Sequence, residues 1–386
     1  MTTSTADVVV IGAGILGAAA AHELAAAGHR VVVLERRAPN REGSGTTAGN
    51  LHIQAIHTRR PGQPIPADNR RFLPLQLAAS QLWGDLEDRL DADLEVRRNG
   101  GFMVAETAEQ TRELVEKNRM EAELGLRTEV LDGTAARSEL PLLSERVVAA
   151  TWCELDGYAN PLLVAPAYLT AARQHGAVVR GFSPVTRIAR TGRTWQVSTS
   201  DGTWSTPTVI NAAGPWIGQV AELGGTRLNM TPVAIQMHVT TRVRPIMRHL
   251  VQHIGEGMSV KQVSAGHLLI GGGWPAERLD LSGRSAPSLA SMRGNLLQAA
   301  RILPFLADLQ LLRMWAGPLA ATPDEMPVIG EVPGAPGFFV AGGTYAFTLA
   351  PLWASALARL VAGGSPPLPI DDLGPARLCA DAAVTS

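Results

Sequence analysis

Residues 7–35 constrain the fold of this 386-residue chain more than any other stretch. Asp7 is followed by Val8-Val9-Val10-Ile11, a β-branched run with nothing polar to turn toward solvent, which is the pattern of a strand buried on both faces. Gly12-Ala13-Gly14-Ile15-Leu16-Gly17 comes next, then an Ala-rich stretch through His22, Glu23 and Leu24 that reads as a helix ending at Gly28. A second strand, Arg30-Val31-Val32-Val33-Leu34, finishes on Glu35. Strand, glycine turn, helix and acid-terminated strand form the unit that lays a dinucleotide pyrophosphate on a helix N-terminus. Gly12 permits the tight turn, Gly14 lets backbone N–H groups approach the phosphates at Ile15 and Leu16, and Gly17 lets helix and strand pack closely. Glu35 is placed to accept hydrogen bonds from a ribose diol and would repel a 2′-phosphate, so NADP is disfavoured; Arg36 adjoins it.

Composition narrows the class further. Apolar residues make up 46% and charged residues 18%, a globular balance that excludes a disordered chain, a collagen-like fibre and a coiled coil. At about 150 residues per domain the length allows two to three domains. The net charge of −1 provides no basic field for nucleic acid or an anionic membrane. Cys153 and Cys379 stand in no metal-ligand spacing, so no metal site is expected. No signal peptide precedes Val8, and the Gly- and Ala-rich run to Ala21 is too short and too weakly apolar to span a bilayer, so a cytoplasmic protein is expected.

Later segments favour FAD over NAD. Arg41–Asn50 is a hydroxyl- and glycine-rich loop suited to wrapping a second phosphate and passing amides along a flat ring, although a plain surface loop would read the same way. Thr208–Trp216 is a strand running into small residues, and Phe338–Thr344 is a buried strand ending in Gly342-Gly343. A helix predicted from about Leu349 to Val361 could set its N-terminus against negative charge on a flavin.

Together these marks resemble the D-amino-acid oxidase superfamily of FAD enzymes over nearly the whole chain. Further matching residues are Gly100-Gly101-Phe102, Asp156-Gly157 with Asn160-Pro161, Trp315-Ala316-Gly317, Thr322-Pro323-Asp324, Pro327–Gly330 and Leu373–Arg377. Gln262 with Gly266–Gly273, and Thr47–His52, look most like the branch holding the catalytic subunits of hydrogen cyanide synthase, opine oxidases and hydroxyproline or proline dehydrogenases. The resemblance implies an α/β fold in which a Rossmann-like FAD-binding domain (1–54, 155–222, 314–378) is interleaved with an α+β substrate domain on an antiparallel sheet (55–154, 223–313), with 379–386 as a tail. It also implies a non-covalent FAD held by Gly12, Gly14, Ile15, Leu16, Gly17, Glu35 and Arg36, and by Ser44, Thr46, Thr47, Gly49, Asn50 and Leu51. Val185 at the adenine, Ala213, Gly214 and Trp216, and Gly342, Gly343, Thr344, Phe347 and Thr348 complete that set.

The chemistry so implied is hydride transfer from a carbon bearing nitrogen to the flavin, driven by the amine lone pair, with no protein base strictly required. The alternatives are a 2-hydroxy-acid or alcohol oxidase, and a flavin-bearing relay or assembly subunit. His52 and Tyr345 are candidate catalytic residues, and Gln236, His238, Lys261 and Thr348 candidate substrate contacts; a packed histidine and a solvated strand lysine are the plainer alternatives for His52 and Lys261. Two departures stand out. Leu319 occupies the place where many superfamily members carry a carboxylate-binding Arg, so either Arg278 or Arg313 binds the acid or the substrate is not a simple α-amino acid. Ala346 stands where Gly is common. The branch also implies a companion redox subunit. The Pro- and Arg-rich stretch Arg59–Arg71, with Ile65 and Phe72 beside it, is a candidate docking element.

Overall fold

The computed structural model describes residues 3–56, 69–280 and 284–379. Val8–Ile11 and Val31–Leu34 form the expected strands, and all eight of their residues are buried. They lie in a six-stranded sheet ordered Val328–Glu331, Phe338–Gly342, Thr208–Asn211, Val8–Ile11, Val31–Leu34, Val178–Arg180. Every pairing is parallel except that of the edge strand Val328–Glu331. Helices cover both faces of such a sheet, which is why its strands read as unbroken apolar runs. On one face, Ile15–Ala26 packs between Pro161–Gln174 and Ala346–Val361 in a single apolar core. The other face carries Ile217–Leu223 and an antiparallel meander that includes Trp195 and Val197.

An eight-stranded sheet stands beside it, ordered Leu311–Ala321, Thr231–Thr240, Leu268–Gly271, Ser259–Gln262, Leu250–His253, Gly101–Ala105, Ala149–Cys153, Glu129–Asp132. Its pairings are antiparallel apart from Leu250–His253 with Gly101–Ala105. Residues 314–321, expected with the cofactor-binding region, pair here along the strand Thr231–Thr240. Asn69–Trp83 and Leu86–Leu90 form two helices separated at Gly84.

The docking stretch changes character in the structure. Arg59, Arg60 and Ile65 lie outside the described residues, but Asn69–Trp83 is helical through Pro74. Phe72 is buried against Tyr345 at 4.6 Å between ring centroids, Arg70 pairs with Glu123, and Arg71 pairs with Asp372. Phe72 is therefore a core residue, not an interface anchor. Among the described residues no helix is long and apolar enough to cross a membrane.

Candidate functional site

One cavity of about 570 Å³ runs from the glycine turn to the inner face of the eight-stranded sheet. At the first end, Gly12 has φ +104°, and a Cβ there would sit 2.6 Å from the Ala212 carbonyl oxygen. Gly17 is closed to any side chain because its Cβ would lie 2.0 Å from the Gly12 oxygen. A Cβ on Gly14 would meet only Ser44 Oγ, at 3.0 Å, and would otherwise project into open space. Ser44 Oγ in turn accepts from the Ile15 amide at 2.9 Å, linking the hydroxyl-rich loop to the helix N-terminus. Both oxygens of Glu35 accept backbone N–H groups, from Ala13 at 2.8 Å and Arg37 at 2.9 Å, which fixes the carboxylate at the cavity wall. The Arg36 guanidinium lies 3.6 Å over the Trp216 ring.

The middle of the cavity is formed where the 43–48 loop meets the strand Leu311–Ala321. Trp315 Nε1 donates to the Thr46 carbonyl at 2.8 Å, and Gly43 and Gly317 allow the close approach: a Cβ on either would fall within 2.7 Å of the opposing segment. Opposite this seam, Tyr345 takes φ +58° at the N-cap of Ala346–Val361, so the first turn of that helix opens onto the cavity with Phe347 and Thr348 in its lining. Such a turn carries unpaired N–H groups and partial positive charge.

A flat anionic dinucleotide fits this donor set. The Oδ1 of Asn50, on a residue that lines the cavity, is buried without a hydrogen-bond partner, and buried polar atoms are rarely left so; Arg36, also in the lining, is 3.6 Å from the Glu42 carboxylate. Thr47, Val185, Ala213, Gly214, Gly342, Gly343 and Thr344 also line the cavity. Gly49 and Leu51 do not. Gly49, at φ +71°, is pressed against the Ala159 carbonyl, and Leu51 belongs to the core, so both support the loop from behind. Sequence reasoning missed Gln219, Val220 and Leu223, which line the cavity beside Val185 from Ile217–Leu223, because that helix carries no motif.

At the far end, His52 lines the cavity with its ring 6.3 Å from that of Tyr345. Burial, helped by the nearby Lys261 charge, lowers its pKa to about 4, against a hydrogen bond from the ring to Gln252 that favours the protonated form. Gln252, Met258 and Ser259 complete this wall. The remaining substrate candidates are placed differently from expectation. Along Thr231–Thr240, alternation gives Ile235 and Met237 to the cavity and turns Gln236 and His238 to the opposite face. There the two bond each other at 3.0 Å, and Gln236 accepts from the Ser288 amide at 2.7 Å, at the start of Leu289–Ile302. They hold the sheet to that helix. Lys261 is neither a solvated edge nor a cavity residue: it is 2% exposed, donates to the Ala48 carbonyl and sits 4.4 Å from the Tyr158 ring centroid. Thr348 lines the cavity, but its hydroxyl is spent on the Asn50 carbonyl at 3.3 Å. Arg278 and Arg313 are exposed and take no part in the lining.

The family described as FAD dependent oxidoreductase matches residues 7–360. Glycine oxidase of Geobacillus kaustophilus is 27% identical over 359 residues, 92% of this chain and 92% of its own length. Hydrogen cyanide synthase subunit HcnC of Pseudomonas aeruginosa is 27% identical over 374 residues, 88% of each chain. The crystal structure of glycine oxidase from Geobacillus kaustophilus superposes with a TM-score of 0.85 at 25% identity, over 97% of this chain and 99% of that one.

Proposed function

The chain belongs to the FAD-dependent oxidoreductase family, and from that premise we propose that it oxidises the carbon–hydrogen bond beside the nitrogen of an amine or amino-acid-like substrate. The observation that carries the reading is the continuity of one cavity from Gly12, Gly14 and Glu35 to His52, Gln252 and Ser259. FAD, when bound, supplies the acceptor for a hydride. The chain's own residues position and exclude. The glycine turn and the Ser44 loop would hold the pyrophosphate, Glu35 the ribose, and the first turn of Ala346–Val361 would face the ring. His52 and Tyr345 present a neutral imidazole and a phenol to the substrate, able to orient an amine by hydrogen bonds without adding charge.

We further propose that FAD is held non-covalently, that the six-stranded sheet and its helices form the cofactor domain, and that electrons leave to a companion subunit. The last point is supported by the likeness to a protein named as a subunit. With only two cysteines in this chain, any Fe–S cluster would have to come from another polypeptide. Anaerobic mixing of the flavoprotein with matched amines and 2-hydroxy acids tests the reading. Amines should bleach the flavin absorbance; bleaching by hydroxy acids alone would replace it with an alcohol oxidase.

A further inference from the structure

Given amine oxidation as proposed above, the orientation of one buried amide fixes how the substrate nitrogen is met. A side-chain amide can turn either end to a neighbour, so its direction follows from the network around it. Here that network starts from a group that only donates. The Lys117 ammonium, paired with Glu121, reaches Gln54 Oε1 at 2.9 Å, and the Thr151 hydroxyl donates to the same oxygen at 3.0 Å. Gln54 Nε2 is thereby turned to the Gly101 carbonyl and to Asp156 Oδ2, at 3.2 and 2.7 Å. Asp156 Oδ1 takes the Ile53 and Gln54 amides, so both carboxylate oxygens act as acceptors. Oδ2 then also accepts from Gln252 Nε2 at 3.2 Å. Gln252 is 2% exposed and lines the cavity. With its Nε2 held from behind, the end left for the cavity is the carbonyl Oε1. The His52 ring, in the same lining, hydrogen-bonds to this side chain, and a carbonyl oxygen has a second lone pair to offer.

We propose that Gln252 Oε1 accepts the N–H of a primary or secondary amine, and that Asp156 is the positioning residue that keeps a carbonyl there rather than an NH₂ group. An NH₂ group would donate to the nitrogen lone pair and hold back the electrons that the oxidation needs. A carbonyl takes the N–H instead and leaves the lone pair free. As hydride leaves carbon for the acceptor that FAD supplies, that lone pair becomes the second bond of an iminium C=N. The N–H stays on a nitrogen of growing positive charge, so its bond to Oε1 strengthens. Two rings probe this in the holoenzyme through the flavin spectrum, without turnover. Pyrrole-2-carboxylate carries N–H where oxazole-4-carboxylate carries a lone pair, and the two carboxamides form a second pair. The pyrrole of each pair should bind more tightly, on the order of tenfold. Gln252→Leu should remove that preference. Asp156→Asn should reverse it: the Asn oxygen keeps the Ile53 and Gln54 amides, and its NH₂ faces Gln252. Lys117 prevents Gln54 from turning, so Gln252 must turn its own NH₂ to the cavity. A merely structural loss would weaken both rings alike. Equal binding of the two rings, or a preference that survives Gln252→Leu, would overturn the inference while leaving amine oxidation intact. A wild-type preference in the Asp156→Asn holoenzyme would overturn the part given to Asp156; if that variant does not fold, Gln252→Leu still decides. Bleaching by hydroxy acids alone would instead remove the amine reading, and the amine N–H with it.

Discussion

Gly14 shows how a single absent atom can define a site. Its Cβ direction is open apart from Ser44 Oγ at 3.0 Å, and that hydroxyl holds the Ile15 amide. Gly14→Val would displace Ser44 and fill the space the pyrophosphate needs, so the variant is expected to purify without flavin colour while keeping its far-UV circular dichroism. Retention of a normal flavin spectrum would show that the turn has another role. Gly12, Gly14 and Gly17 were legible in the sequence because their roles follow from backbone geometry between two strands. Gln236 and His238 were not: both faces of the eight-stranded sheet are covered, so alternation separates the faces without saying which one holds the cavity.

Between elements, the buried carboxylate of Asp156 ties the chain that follows His52 to the eight-stranded sheet. It accepts from the Ile53 and Gln54 amides at 2.8 and 3.0 Å, from Gln54 Nε2 at 2.7 Å and from Gln252 Nε2 at 3.2 Å. Lys117 extends the network from Ala108–Glu123, reaching Gln54 Oε1 at 2.9 Å and Glu121 at 2.7 Å. Burial outweighs these donors and raises the Asp156 pKa from 3.8 to about 6. A raised folded pKa contributes stability that is full below the unfolded value and lost as pH rises through about 6. His52 acts in the opposite sense, since its folded pKa of about 4 lies below the unfolded 6.5. Between those values the unfolded chain takes up the proton first, so stability is lost as the pH drops from 6.5 toward 4. Asp156→Asn would set an NH₂ group against side-chain donors and is expected to cost about 2–4 kcal/mol at pH 7. It should also abolish the gain that Asp156 gives the wild type on moving from pH 7 to pH 5. In the His52→Leu variant the same move should be less destabilising than in the wild type. Urea denaturation of the apoprotein at both pH values measures all three; equal pH responses would mean that neither group is perturbed in the folded state. The sequence marked Asp156 through resemblance, but its four donors come from Ile53, Gln54 and Gln252, segments that meet only in the tertiary fold.

At the scale of the molecule, the cavity is the junction of two sheets that the chain visits alternately. The parallel sheet collects strands from both ends and the middle of the sequence, and its apolar runs made those strands recognisable one by one. Their assembly is non-local, and periodicity carries no information about which runs become neighbours, so the interleaving was legible only by resemblance. A ligand filling the junction should then stabilise both sheets together, because it binds the folded state alone. At free FAD a thousandfold above Kd, linkage gives about 4 kcal/mol. For a chain of this size that is a rise on the order of 5–10 °C in melting temperature between apo- and holoprotein. The rise should depend on FAD concentration, as it must for a reversibly held group. Neither Cys153, buried in the sheet strand Ala149–Cys153, nor Cys379, near the C-terminus, lines the cavity, so neither thiol is placed to link the flavin. Acid precipitation is therefore expected to release all of the flavin to the supernatant, and added FAD should restore the higher melting temperature of the refolded or deflavinated protein. Flavin retained in the pellet, or a melting temperature indifferent to FAD concentration, would mean that the cofactor is attached by a covalent bond these contacts do not supply.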